Sequence, residues 1–137
     1  MAQQDLGYAL IQVVHNLGAV AVTGGAAAAV WPRPPDTRHR HQLAWLVLAG
    51  WAIQAASGAT FGGISLFLHG ALPDIHGLAL AALLLKMVCA AAGFALAAAY
   101  LRYSPAWTER HQDGLWMLLV LLALTALSAA AFLRWFS

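Results

Sequence analysis

The sequence predicts an all-α integral membrane protein built as a four-helix antiparallel bundle. Of its 137 residues, 62% are hydrophobic and only 9% are charged. Four apolar stretches, at about 8–31, 43–68, 77–101 and 115–135, each approach or exceed the roughly 20 residues that a transmembrane helix needs. Because the connections between them are short, we expect consecutive helices to be antiparallel neighbours within a single domain that covers residues 1–137.

Helix one carries polar residues on one face of an otherwise apolar stretch. Gln12, His15, Asn16 and Thr23 follow helical spacing. Such a face should point toward other helices or a bound group, because contact between polar side chains and lipid is costly. A ligand or redox role for His15 and simple hydrogen bonding between helices both stay open, as does a histidine satisfied by a backbone carbonyl. The prolines after Trp31 predict the end of the helix.

Helix two follows a basic loop at residues 36–41. We interpret His39 and His41 in that loop as solvated residues, with a metal site as the alternative. Small residues recur every four positions along the helix and predict close approach of a neighbouring helix. Gln54 lies among them, on a polar face that should converge with the face of helix one, either for packing or for ligand binding. The repeat comprises Gly50, Gln54, Gly58 and Gly62.

Helix three contains the only lysine of the chain, Lys86. At 1.5 Å per residue, Lys86 lies ~14 Å and His15 ~10 Å from the starts of their helices. Since helices one and three run in the same direction, we expect the two side chains at similar depth. An ionisable residue at this depth indicates a function, whereas snorkelling to the surface would require a long reach. Cys89, one turn further on, is interpreted as a buried structural thiol.

The turn between helices two and three holds His69 and His76 on either side of Asp74. We expect the Asp74 carboxylate to cap helix three. His76 lies at the membrane boundary, ~10 Å shallower than His15 if both helices are straight. His15 and His76 are the candidate metal ligands.

Helix four has only two polar residues in its middle, Thr125 and Ser128, and is predicted to pack against the others. The arginines indicate the orientation, because cytoplasmic loops are enriched in them. Five lie between helices one and two or between helices three and four: Arg33, Arg38, Arg40, Arg102 and Arg110. Both termini are therefore predicted to be periplasmic, in the inner membrane if the organism is bacterial. The few basic residues do not form a nucleic-acid-binding surface.

This pattern resembles the copper resistance D (CopD-like) membrane family and is similar to small four-helix membrane haem proteins. The haem proteins pair a histidine in helix one with a lysine in helix three. The resemblance implies a four-helix unit that handles copper or binds haem b. The residues that carry it are His15 with Gly24-Gly25, Ser57-Gly58, and Gly77 with Lys86.

Haem b is the cofactor we expect, with copper as the alternative. Cu(I) prefers sulphur ligands, and the chain has three methionines and one cysteine without a paired methionine motif. Haem needs one or two imidazoles and a few polar groups. Because His76 is too shallow to pair simply with His15, iron would be held by one histidine or with help from Lys86. The candidate cofactor-binding residues are Gln12, His15, Asn16, Gln54, His69, His76 and Lys86.

The expected function is that of a haem b-binding electron-transfer or accessory subunit without catalytic activity of its own. Its expected partners are the lipid bilayer and either other membrane subunits or a periplasmic redox protein. Copper transport and a purely structural accessory role remain the alternatives.

Overall fold

The computed structural model describes residues 2–31, 34–70 and 75–136, and within them the side chains of all but residues 2–5, 65 and 69. Four α-helices make up the described fold: α1 (Ala2–Ala28), α2 (Thr37–His69), α3 (Gly77–Tyr103) and α4 (Glu109–Phe136). A short 3-10 helix, Ser104–Ala106, joins α3 to α4. Each α-helix is long and apolar enough to cross a membrane. The predicted all-α class is confirmed, and the chain has the helices of a multi-pass membrane protein.

The four helices form a closed ring in which each packs against the next along the chain and α4 packs against α1. Contacts between α1 and α2 run in opposite directions, since Gly18 faces Ile53 while Gly25 faces Val47. Helices α1 and α3 therefore lie on a diagonal of the ring, and a contact between them must cross its centre.

The helices extend further into the polar segments than hydropathy predicts. α2 begins at Thr37, six residues before the predicted start, and α4 likewise begins at Glu109, six residues early. Asp36 is the N-cap of α2, and its Oδ1 accepts a hydrogen bond from the backbone N–H of His39 at 2.9 Å. This hydrogen bond, together with one from the His39 side chain, lowers the pKa of the Asp36 carboxyl. Capping, rather than the end of the apolar stretch, sets where the helix starts.

Two predicted details at the helix ends are wrong. His39 and His41 lie in the first turns of α2 rather than in a loop, although both are exposed as expected. α1 ends at Ala28, before the predicted end at Trp31. The N-cap of α3 is His76, in an extended backbone conformation. The predicted cap, Asp74, lies outside the described residues.

The buried core is concentrated in the half of the bundle nearer the α1–α2 connection. Trp51 is 2% exposed and fills a notch at Gly93, where an added Cβ would lie 2.2 Å from Cε2 of the indole ring. Glycine is therefore required at position 93 for α3 to approach α2. The core comprises Val22, Ala26, Ala29, Ala44, Val47, Trp51, Cys89, Ala97, Tyr100, Trp116, Leu119, Ala123 and Ala126.

The same end of the bundle is held by a buried arginine. Nη2 of Arg40 donates hydrogen bonds to Oδ1 of Asp113 at 2.5 Å and to the carbonyl oxygen of Ala29 at 3.4 Å. One side chain of α2 thereby joins the end of α1 to the first turns of α4. This contact holds the bundle together at the end that carries the α1–α2 and α3–α4 connections.

The small-residue repeat of α2 provides close packing at only one of its glycines. An ideal Cβ at Gly50 would lie 3.0 Å from the carbonyl oxygen of Gly18, so α1 and α2 approach closely there. A Cβ at Gly58 or Gly62 would meet nothing within 4 Å. The half of the bundle beyond Gln54 is therefore more open than its sequence predicts.

Candidate functional site

A lysine and a histidine meet across the diagonal of the ring. Nζ of Lys86 on α3 lies 2.8 Å from Nε2 of His15 on α1, within hydrogen-bond distance. Both side chains are half-buried. The predicted similarity in depth of these two residues is confirmed, because only side chains at one level of the bundle can make this contact.

Helix α2 holds His15 at two points. The other ring nitrogen of His15, Nδ1, lies 2.6 Å from Oγ of Ser57. The side-chain amide of Gln54 donates a hydrogen bond to the backbone carbonyl of His15. Gln54 and Ser57 are 8% and 6% exposed. The predicted convergence of the polar faces of helices one and two is thus confirmed for these residues, and the imidazole ring is fixed at both of its nitrogens.

Aromatic rings flank the imidazole on the side away from the core. Phe61 lies edge-on to the His15 ring with the centroids 6.0 Å apart. Tyr8 stacks on Phe61 at 6.2 Å and is nearly parallel to it. Tyr8 lies seven residues before His15, and Phe61 lies four after Ser57, so both belong to the faces that carry the polar contacts. These rings provide an apolar wall beside the site.

The described part of the chain places no carboxylate at the level of Lys86. Its acidic side chains, at positions 36, 109 and 113, belong to the opposite end of the bundle. Asp113 is already paired with Arg40. A cation inside a membrane protein is costly without a counter-charge. A group that carries negative charge or a strong hydrogen-bond acceptor would offset that cost.

Two predicted site residues point elsewhere. Gln12 and Asn16 are exposed, and Nε2 of Gln12 donates to Oδ1 of Asn16 at 2.9 Å. At 3.6 residues per turn, both side chains are displaced to the same side of His15, by about 60° and 100° around the helix. The structure does not bring these two predicted cofactor-binding residues to His15, because the polar face is wide and only its His15 edge faces inward.

The histidines of the α2–α3 turn do not join His15. His76 is exposed at the start of α3 and precedes Lys86 by ten residues, hence by ~15 Å along the helix axis. The structure does not bring this predicted metal ligand to His15. The side chain of His69 lies outside the described part of the structure, so its predicted role remains untested.

The sulphur ligands preferred by copper are dispersed. Cys89 is buried in the core, whereas Met87 and Met117 are 59% and 52% exposed. Among the described residues, no three His, Cys, Asp or Glu side chains are grouped to hold a metal ion. A haem site does not require such a group, since the protein can supply a single axial histidine. His15 offers a single imidazole donor of this kind.

The spacing of helix two places Ser57 and Phe61 on the polar face that was expected to converge with helix one, but neither was predicted as a site residue, and Tyr8 was not predicted as a neighbour of His15. Ser57 had a usable signal, since it lies three residues after Gln54 and shares its helix face. Tyr8 and Phe61 had a weaker one, because aromatic residues are common in apolar helices.

No protein-family model, no curated protein and no solved structure matches this chain. Membership of the CopD-like family thus remains a prediction from the motifs.

Proposed function

We propose that this chain is a CopD-like protein of the bacterial inner membrane that binds haem b through His15. It would serve electron transfer as a subunit of a larger membrane complex. The observation that supports this proposal is the contact between His15 and Lys86. It brings an imidazole, a common haem ligand, and an amine to the centre of a bundle whose open half lies beside them.

The residues around His15 suit an axial ligand. Ser57 and Gln54 fix the ring and its backbone, and Nε2 points from α1 toward α3. In the present structure Nζ of Lys86 is in hydrogen-bond contact with that nitrogen. Its four-carbon chain is flexible and half-buried, so it can withdraw and leave Nε2 to a ligand. Haem b, when bound, supplies one-electron chemistry, and the protein supplies its position and electrostatics.

Lys86 has a second task in this proposal. Once withdrawn from Nε2, its ammonium is available to an anionic group of the cofactor, such as a haem propionate. A hydrogen bond that involves a charged group is roughly twice as strong as one between neutral groups. Lys86 would thus contribute to affinity without being the principal ligand.

A structural subunit is the second candidate, and a specific observation favours it. His15, Lys86, Ser57 and Gln54 satisfy one another by hydrogen bonds, as polar residues that hold membrane helices together do. The two candidates differ in whether the network gives way to a ligand.

Haem titration into the purified chain distinguishes them. We expect the parent to bind one haem b and His15→Ala to lose binding, because the axial imidazole is gone. His41→Ala is the matched control, since His41 is an exposed histidine of α2, and it should bind as the parent does. Absence of binding by the parent would favour the structural subunit.

A further inference from the structure

We infer that Ser57 is a positioning residue that fixes His15 in the tautomer with its proton on Nδ1, leaving the lone pair of Nε2 directed at α3. The tautomer follows from the hydrogen bonds of the chain alone. Its consequence for ligand binding rests on the proposed function.

The hydroxyl of Ser57 has a single proton and lies among several acceptors. Its Oγ is 2.6 Å from the carbonyl oxygen of Ile53 and 3.3 Å from that of Gln54. Carbonyl oxygens can only accept, so the short contact with Ile53 requires the Ser57 proton. Its Oγ must then accept, rather than donate, in the 2.6 Å contact with Nδ1 of His15.

The opposite tautomer leaves one of these contacts without a proton. If Nδ1 accepted the Ser57 proton, Oγ of Ser57 and the carbonyl oxygen of Ile53 would face each other at 2.6 Å as two acceptors. Two acceptors at that distance repel, and the Ile53 carbonyl loses the hydrogen bond from the hydroxyl. The proton on Nδ1 avoids this conflict.

The contact on the other side of the ring agrees with this assignment. With the proton on Nδ1, Nε2 is an acceptor, and Nζ of Lys86 at 2.8 Å donates to it. All the hydrogen bonds then run in one direction, from Lys86 through His15 and Ser57 to the carbonyl of Ile53. Each contact in the row then joins one donor to one acceptor.

The consequence is that Nε2, the nitrogen that faces α3, is the one able to bind a metal. Metal-bound histidines usually donate the other ring N–H to a fixed acceptor, which sets the ring orientation and raises the basicity of the ligand. Ser57 supplies that acceptor. It does not touch the ligand itself, so it acts through His15.

Nitrogen-15 NMR of the full-length protein in detergent, labelled at histidine and without added ligand, tests the tautomer directly. The His15 signals are those that disappear in His15→Ala. We expect the parent to show a protonated Nδ1 and an unprotonated Nε2 for this residue. A protonated Nε2 with an unprotonated Nδ1 would overturn the inference.

Three variants test the role of Ser57. Ser57→Ala removes the acceptor and should shift His15 toward the Nε2-protonated tautomer, whereas Ser57→Thr retains a hydroxyl and should keep the parent tautomer. Thr60→Ala is the matched control, because Thr60 donates to the carbonyl of Ala56 at 2.8 Å in the same way but is exposed. A parent tautomer that persists in Ser57→Ala would show that Ser57 does not set it.

Haem titration of the same variants gives a second readout. Removing the hydrogen-bond acceptor of a metal-binding histidine typically lowers metal affinity about 10- to 100-fold. We therefore expect this decrease in haem affinity in Ser57→Ala and not in Thr60→Ala. Equal affinities in the parent and Ser57→Ala would contradict the positioning role. A parent with the assigned tautomer that binds no haem would support the tautomer and overturn the proposed function, so the two failures are distinguishable.

Discussion

Replacing Lys86 with methionine separates a role in binding from a role in packing. Methionine is unbranched and flexible, so it can follow the path of the lysine chain. The substitution removes the ammonium and its 2.8 Å hydrogen bond to Nε2 of His15. The free energy of unfolding of the ligand-free protein and its affinity for the cofactor should respond differently to this loss.

In the ligand-free protein two effects oppose each other. Leaving Nε2 of His15 without its donor lowers the free energy of unfolding by about 1–3 kcal/mol. Removing a half-buried cation relieves part of a desolvation penalty that amounts to several kcal/mol for a buried ion. We therefore expect the free energy of unfolding of Lys86→Met to be equal to that of the parent or slightly higher.

When the cofactor is bound, we expect the substitution only to weaken the affinity for it. An anionic group of the cofactor would lose a charge-assisted hydrogen bond, about 1.5–3 kcal/mol, which corresponds to a roughly 10- to 100-fold weaker affinity. Lys86→Arg should recover part of it, because the guanidinium keeps the charge but is larger and planar.

The assay is haem titration and thermal unfolding of the same purified variants. Leu85→Met is the matched control, since Leu85 is the preceding residue of α3 and is 46% exposed. This substitution should change neither the haem affinity nor the thermal stability. A Lys86→Met protein that binds haem as tightly as the parent would refute the binding role, and a clear loss of stability with unchanged affinity would establish a packing role instead.

Three further predictions concern the fold. Gly93→Ala places a Cβ 2.2 Å from Cε2 of the buried Trp51 ring and should lower the free energy of unfolding by about 1–3 kcal/mol. Gly114→Ala is its control, because a Cβ there meets nothing within 4 Å. Equal stabilities of the two variants would contradict the close packing of Trp51 against Gly93. The folded-state pKa of Asp36 is below its ordinary value of 3.8, so its stabilising contribution is present above pH 3.8 and lost as the pH falls through the folded-state pKa. Denaturant unfolding between pH 3 and 6 should therefore show a pH-dependent loss of stability that Asp36→Ala lacks, and identical pH profiles would contradict it. Reporter fusions in the α1–α2 and α2–α3 connections should report cytoplasmic and periplasmic locations respectively; the reverse pattern would invert the predicted orientation.

The sequence predicted the level of the site because residue counting along two helices requires no knowledge of packing. Counted from the predicted starts at residues 8 and 77, His15 and Lys86 lie at similar distances into their helices, and a rise of 1.5 Å per residue converts this into depth. Helix α1 itself begins earlier, at Ala2. That arithmetic and the antiparallel order of the chain predicted a common level, and the structure adds the contact itself.

The rotation of each helix was harder to predict. The polar face of α1 spans about 100° of the helix, so spacing alone cannot tell which edge faces the centre. Packing decides this, because Gly18 lies against Gly50 and turns His15 inward while Asn16 faces out. The notch at Gly93 likewise depends on a tryptophan that is distant in sequence.

The ends of the helices depended on individual hydrogen bonds. Hydropathy locates the apolar part of α2, but the cap at Asp36 sets its first turn. The contact between Arg40 and Asp113 joins two segments that were both predicted as connections. Such contacts require the tertiary structure.

The most direct test of the proposed function is the absorbance spectrum of the dithionite-reduced protein, with free imidazole supplied or withheld when His15 is replaced. We expect a haem b spectrum for the parent after haem is supplied and no such spectrum for His15→Ala. The spectrum should return when free imidazole is added to His15→Ala. Imidazole can enter the space left by the missing side chain and restore the axial nitrogen. A haem spectrum in His15→Ala without imidazole, equal to that of the parent, would contradict the assignment of His15 as the ligand.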